Sequence, residues 1–536
     1  VSGVVAEVKV KWEMTEKWRY RPKSKSGESS MKRLHMQVTR QQNRETFQKF
    51  AMVLTTLLAW CCLASAQHWV ALPTFPGNGA GTAILQTDGD VLVQELTGPA
   101  SGGGSATGNW YVLHPDASGS YETGFWGGPV STISYSYAPL YFASAVLPDS
   151  RIIIEGGEYN FGFLNDTVGG TLYNPTTASF HNMGAPKLWA KIGDAPSVIL
   201  PNGRFMMGDC CSTNEAILNP TTLSWTSTGA GKADANSEEG WTLLPNGKVL
   251  TVDTQNGSES ELYNYTTGKW SLAGNTYYHL PYNCANPKIV PEVGPAVLRP
   301  NGTVLATGAN GYTSIYHVTQ GNWTKGPIFP PNSAGQGQDG VADGPAALLV
   351  DGNVLVMASN INPCNITPSD FFEFNGTKFV SVPGPPNASN EVSFDGRMLV
   401  LPNGGHILFT DGTTDVEAYI PVGAPNSSWA PTITSYPATI TQGGTYTLKG
   451  TQFNGLSQGA AYGDDSQSAT NFPLVRLTIR GIVNYLPTKH FTMGVATGTK
   501  VVQTAFTLPF FVGKGAATLE VVANGIPSKA VSITVK

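Results

Sequence analysis

The chain has 536 residues, with 61 Gly, 37 Pro and 10% aromatics but only 13% charged residues. Such a composition belongs to a turn-rich all-β protein and excludes a helical bundle or a disordered chain. Lys and Arg number 32 against 37 Asp and Glu, which leaves no basic field for nucleic acid or an anionic membrane.

Residues 1–49 are basic and lack apolar periodicity, so they read as a leader or upstream extension, with Met31, Met36 and Met52 as candidate starts. Residues 50–66 read as a signal peptide. Lys49, the apolar run from Phe50 to Leu63 and then Ala64-Ser65-Ala66 give its three-part layout, with cleavage expected after Ala66. The run is shorter than the about 20 residues a spanning helix needs, so no membrane span is expected in the mature chain. Residues 1–66 hold 12 of the basic and 5 of the acidic residues, leaving 20 against 32. An acidic, secreted, extracellular protein is expected.

Residues 67–425 carry a repeat. Its unit is clearest from Gly240 to Asp253, where Pro245-Asn246-Gly247 separates two apolar runs. Asn-Gly in that setting predicts a tight antiparallel hairpin with a type I′ turn. Glu261 to Asn264 and Lys269-Trp270 then supply a third and a fourth strand. The turn position recurs at Gly89, Ser150, Gly203, Gly247, Gly302, Gly352 and Gly404, which predicts a seven-bladed β-propeller. His68 to Leu72 reads as the closing strand of the last blade, whose own residues 397–421 lack a fourth strand. After a linker at 421–431, residues 426–536 alternate apolar and polar positions in short strands and predict an Ig-like β-sandwich.

Cys210, Cys211, Cys284 and Cys364 remain in the mature chain, an even count that points to two disulfides with three possible pairings. The adjacent pairing is the less favoured because its ring is strained; if formed, it would offer a flat ligand platform. Sequons stand at Asn165, Asn256, Asn264, Asn301, Asn322, Asn365, Asn375, Asn387 and Asn426, consistent with a glycoprotein.

The blades resemble kelch repeats, with the double glycine kept at Gly156-Gly157, and the order of domains is similar to that of galactose oxidase and glyoxal oxidase. The resemblance implies a copper ion held by two tyrosines and two histidines, one tyrosine being cross-linked to a cysteine. It maps the radical tyrosine onto Tyr141 and the histidine of the early-set domain onto His490. Ala80 stands at the cysteine's position and Phe394-Asp395 at that of a Tyr-His pair. Cu(II) prefers nitrogen and oxygen ligands in tetragonal geometry, and Tyr141 with His490 supplies half of the set. A radical-copper oxidase is therefore not expected.

Nine residues before each turn stand Ala80, Tyr141, Asp194, Glu238, Val293 beside Glu292, Asp343 and Asp395. These positions open the innermost strands, so Asp194, Glu238, Glu292, Asp343 and Asp395 are expected to converge at one mouth of the central channel. Converging carboxylates raise one another's pKa unless something positive joins them. Ca²⁺, a basic side chain such as Lys489 or Arg397, or a ligand would serve, and the resemblance brings His490 to the same mouth; otherwise the carboxylates fasten the ring through backbone N–H groups. Tyr462 to Asn471 is a further polar loop that would suit Ca²⁺ or serve as a solvated turn, and Trp110, Trp126, Tyr277 and Tyr278 would stack on sugars or pack between blades. The expected function is binding of an extracellular glycan or matrix component, with Ca or Cu as candidate cofactors. The alternatives are a copper oxidase of alcohols or aldehydes, a carboxylate-based hydrolase or lyase, and a structural component of an extracellular assembly. Oligomeric state stays open.

Overall fold

The hairpins form where the Asn-Gly and Asp-Gly positions predict them, with a different turn. Gly89, Gly203, Gly247, Gly302, Gly352 and Gly404 lie at φ between 79° and 87°, and Ser150 lies at 80°. In two of the three Leu-Pro-Asn-Gly copies, those that begin at Leu200 and Leu244, the Gly N–H donates to the Leu carbonyl (Gly203 to Leu200 2.8 Å, Gly247 to Leu244 2.9 Å). The Leu N–H donates to the residue after the glycine, Leu200 to Arg204 and Leu244 to Lys248, both at 2.9 Å. This is a three-residue loop, a type I turn closed by a left-handed glycine. A type I′ turn over Asn-Gly would pair Pro201 with Arg204 and Pro245 with Lys248, and proline has no N–H to give such a pair; proline instead suits the first central position of the type I turn.

The computed structural model describes residues 67–131, 136–284, 286, 290–362, 364–463 and 468–536. The leader at 1–49, the signal peptide at 50–66 and Asp464-Asp465 lie outside the described residues. Among the described residues the regular elements are β-strands and four short 3₁₀ turns. Among the described residues no helix is long and apolar enough to cross a membrane.

Successive stretches fold as antiparallel sheets with strands in chain order: 80–131, 143–182, 197–228, 242–275, 293–325 and 346–382. Arg397–Val400, Ile407–Thr410 and Glu417–Ile420 form three strands of the next, and the fourth is His68–Ala71, paired antiparallel with Glu417–Ile420. First and second strands are almost wholly buried, as in Ala80–Leu85 and Val91–Leu96. The third strand and the fourth share a recurrent cross-strand pair: Tyr173 opposite Phe180, Leu218 opposite Trp225, Tyr263 opposite Trp270, Tyr316 opposite Trp323 and Phe374 opposite Phe379. Each such pair contributes about 0.2–1 kcal/mol relative to an Ala–Ala pair.

Residues 432–536 add two sheets around their own core of Leu448, Phe453, Val475, Leu477, Phe506, Leu519 and Val521. From this region residues 455–463 and 468–471 run in among the first strands of the preceding sheets. Ala460–Ala461 pairs with Ala346–Leu348, Leu243 N–H donates to Gln458 Oε1 at 2.7 Å, and Ser468 Oγ donates to Ala83 O at 3.0 Å. The segment leaves its own core at Gly455 (φ 65°), where a Cβ would meet Asn524 Oδ1 at 1.9 Å.

The disulfides are Cys210–Cys211 and Cys284–Cys364. The less favoured adjacent pairing is thus the one formed. The sheets bring Cys284 and Cys364 to a Cα separation of 5.2 Å, within bonding range, and the remaining two pair with each other.

Candidate functional site

An acidic cavity of about 210 Å³ lies where several first strands begin. Tyr141, Asp194, Glu238, Glu292 and Asp343 line it, and they precede the strands Ala143–Val146, Ser197–Ile199, Thr242–Leu243, Val293–Leu298 and Ala346–Leu348. The nine-residue offset therefore picks out four of its walls, Tyr141, Asp194, Glu238 and Asp343, and Glu292 stands one residue before the position it gives. The remaining lining is Glu158, Tyr159, Asn365, Phe394 and Tyr462. Glu158 and Tyr159 follow the double glycine at the far end of a second strand, which antiparallel pairing returns to the start of the first. An offset counted on first strands alone misses them.

Glu238, Glu292 and Asp343 each place a carboxylate oxygen within 4.8 Å of the other two. Oxygens bound to one Ca²⁺ at 2.3–2.6 Å stand up to about 5 Å apart, so this triad has the reach to hold such an ion. Tyr141, Glu238, Asp343 and Asn365 also lie at φ of 54°, 56°, 53° and 57°. Residues other than glycine persist there only where their surroundings over-determine the backbone, at about 1–3 kcal/mol each. For Glu238 those surroundings are visible. Ser237 O accepts from Thr254 Oγ1 at 2.7 Å and Ser237 Oγ donates to Cys210 O. On the other side, Glu239 accepts from Thr251 Oγ1 at 3.0 Å and from Lys232 Nζ.

The electrostatics are those of crowded acids. Burial, with Asp194 and Asp166 nearby, pushes the Glu158 carboxyl up to about 8. Burial, with Asp194 and Glu158, pushes Asp343 up to about 7, against the opposing pulls of Glu292 and Arg397. Arg397 is the basic group at this wall. Its guanidinium carbon lies 4.0 Å from the Tyr462 ring centre and 5.0 Å from that of Tyr141, and Nη1 donates to the Phe394 and Gly396 carbonyls at 2.7 and 2.8 Å. Tyr462 Oη donates to the Phe394 carbonyl at 2.8 Å. Arg397 thus tethers the inserted segment to the cavity.

Several expectations are corrected. His490 does not reach the cavity: it is exposed, and its N–H donates to Pro148 O at 2.5 Å. Pro148 sits at the turn of the hairpin whose first strand Tyr141 precedes, the opposite end of that strand. The segment that enters carries Tyr462 instead. Lys489 is held in strand pairing with Ala505. Asp395 is turned away, accepting from Ser101 N at 2.8 Å and Ser101 Oγ at 2.5 Å, while its neighbour Phe394 lines the cavity. Its role is the fastening one. Asp395→Ala is accordingly expected to cost about 1.5–3 kcal/mol, as lost charge-assisted hydrogen bonds do, and to leave cation affinity unchanged; denaturation and calcium titration of the variant check both.

Copper does not fit. Among the described residues no histidine lines the cavity, Ala80 is buried in strand where the cysteine would stand, and Tyr141 and His490 are separated by the length of a strand. Of the other candidates, Trp110 is fully buried and Tyr277 is exposed. Among the sequons, Asn165, Asn256, Asn301, Asn322, Asn375 and Asn426 are exposed and Asn264 and Asn387 half-buried. Asn365 lines the cavity, where its Oδ1 accepts from Ser393 Oγ at 3.2 Å, a poor place for a glycan.

No family model matches the chain, and no curated protein matches its sequence. Among solved structures it is similar to a fungal alcohol oxidase of the AA5 family in complex with copper, at 14% identity and a TM-score of 0.48, covering 88% of this chain and 99% of that one. A catalytically inactive virginiamycin B lyase from Staphylococcus aureus with quinupristin gives 8% identity and a TM-score of 0.45 over 66% of this chain and 99% of that one. The extracellular domain of a hybrid two-component system from B. thetaiotaomicron gives 10% and 0.43 over 88% and 59%. Likenesses this distant carry no argument about activity.

Proposed function

We propose that the chain is an extracellular seven-bladed propeller followed by an Ig-like early-set domain, and that it binds a glycan through a divalent cation, Ca²⁺, held by Glu238, Glu292 and Asp343. The observation that carries this is the convergence of the three carboxylates within 4.8 Å, on backbone that is left-handed at two of them. A cation offsets their mutual repulsion and keeps open coordination positions for sugar hydroxyls. The Tyr141 and Phe394 rings beside it offer apolar faces to a pyranose. Retention of the protein on immobilised neutral and uronate polysaccharides, with Ca²⁺ and then with EDTA, tests the reading. Retention that EDTA abolishes is expected; retention indifferent to EDTA, or none on any polysaccharide, speaks against it.

The raised carboxyls give a pH dependence with a definite sign. Glu158 and Asp343 titrate near 8 and 7 in the fold, above their unfolded values, so the metal-free folded state holds protons that the unfolded chain releases. The stability that these two groups contribute is fully present near pH 4 and is lost as pH rises towards 8. Ca²⁺ should restore it most at pH 8 and hardly at pH 5. Thermal melts across that range, with EDTA and with Ca²⁺, check this.

A second reading rests on one observation: Glu158 is held protonated near neutrality beside Asp194, and two acids with different proton affinities permit general acid–base chemistry. A hydrolase or lyase of this kind requires turnover that Glu158→Gln abolishes.

A further inference from the structure

Both disulfides frame the acidic cavity. Cys210 N–H donates to Ile192 O at 2.9 Å, and Ile192-Gly193 leads directly into Asp194. The Cys210 carbonyl accepts from Ser237 Oγ, next to Glu238, and the buried Asn236 donates to the carbonyls of Ser212 and Asn214 at 3.0 and 3.2 Å. The adjacent-cysteine loop is therefore clamped between the two segments that deliver Asp194 and Glu238. Gly193 shows how close the fit is: a Cβ there would meet Cys210 Sγ at 2.6 Å, on backbone at φ 67°. On the other side Cys364 adjoins Asn365, and Cys284 stands two residues after Tyr282, which exchanges two backbone hydrogen bonds of 3.0 Å with Glu292. Cys211 is exposed, open to a soluble reductant.

We infer that the four cysteines are positioning residues for the cavity, and that the Cys210–Cys211 bond makes the site redox-responsive: a dithiol that opens it frees the segments holding Asp194 and Glu238 and weakens cation binding. Two electrons and two protons pass from the dithiol to the disulfide. The dithiol closes to its own disulfide, and Cys210 and Cys211 become thiols. The ion-binding part rests on the function proposed above; the positioning part does not.

The test uses the full mature chain treated with dithiothreitol until Cys210–Cys211 is open and Cys284–Cys364 intact, as peptide mapping of alkylated thiols shows. Hydrogen exchange at residues 190–196 and 234–240 should then accelerate at least tenfold, with the remaining strands unchanged, and calcium affinity should fall at least tenfold. Ser237→Ala, which leaves both disulfides in place, should weaken calcium binding in the same direction. Unchanged exchange at both segments overturns the inference whether or not the protein binds calcium. Faster exchange in a protein whose oxidised form binds no calcium upholds the frame and sinks the cation reading alone.

Discussion

Replacing Lys232 by Met is expected to cost the fold at least about 3–5 kcal/mol at pH 7, as removal of one partner from a buried charge cluster does. The Lys232 side chain is wholly buried, with Nζ at 2.8 Å from Asp234, 3.0 Å from Glu239, 2.8 Å from Glu261 and 3.9 Å from Asp253. An ammonium has three donors, and the three near carboxylates use them. Asp253 is left to be held by charge alone, and burial pushes its carboxyl up to about 7. Burial likewise pushes Glu239 well above the usual carboxylate range, with Lys232 pulling it down. Without Lys232 these groups must take up protons or unfold the region. The loss should therefore be smaller at pH 5 than at pH 8, and Lys232→Met with Glu239→Gln should recover part of it. Urea denaturation at the two pH values measures this. A cost under about 1 kcal/mol at pH 7 would show that the cluster is not held by its lysine.

The second large effect concerns the cavity. Asp343→Asn is expected to weaken calcium binding at least 100-fold, about 2.7 kcal/mol, and to raise the stability of the metal-free protein at pH 8 by removing a carboxylate from a crowded group. Asn tolerates the left-handed backbone that Asp343 adopts, so the substitution removes charge without disturbing the turn. Glu292→Gln should act in the same direction. Calorimetric titration of the variants and their melts in EDTA provide the readouts; a variant of full affinity would remove Asp343 from the site.

Much of the scaffold was legible because it rests on local rules. Asn-Gly and Asp-Gly between apolar runs placed the hairpins, and the terminal strand His68–Ala71 was legible as the missing partner of Glu417–Ile420. The offset from those turns carried Tyr141, Asp194, Glu238 and Asp343 to one cavity, with Glu292 one residue before its position, since equal spacing along equivalent strands gives equivalent positions in space. It failed at Asp395, where the side chain beyond the backbone position decides: Ser101, from a distant loop, captures the carboxylate and leaves Phe394 facing the cavity. It also failed for the inserted segment. Whether Tyr462 or His490 enters depends on which of two loops leaves the C-terminal sheets, and the one that enters is fastened at its root by Asn524 Oδ1, which accepts from Leu456 N at 2.9 Å across 68 residues of sequence, a contact no local rule reveals. The pairing of Cys210 with Cys211 was illegible for the same reason, because it follows from where the sheets carry Cys284 and Cys364.

The most direct test is calcium stoichiometry of residues 67–536 after equilibration with Ca²⁺ and removal of excess, for the wild type and Asp343→Asn in parallel. One tightly held calcium per wild-type chain and none in the variant is the predicted result. A wild-type chain without calcium, or a calcium retained equally by both proteins, would contradict the assignment of Glu238, Glu292 and Asp343 as its ligands.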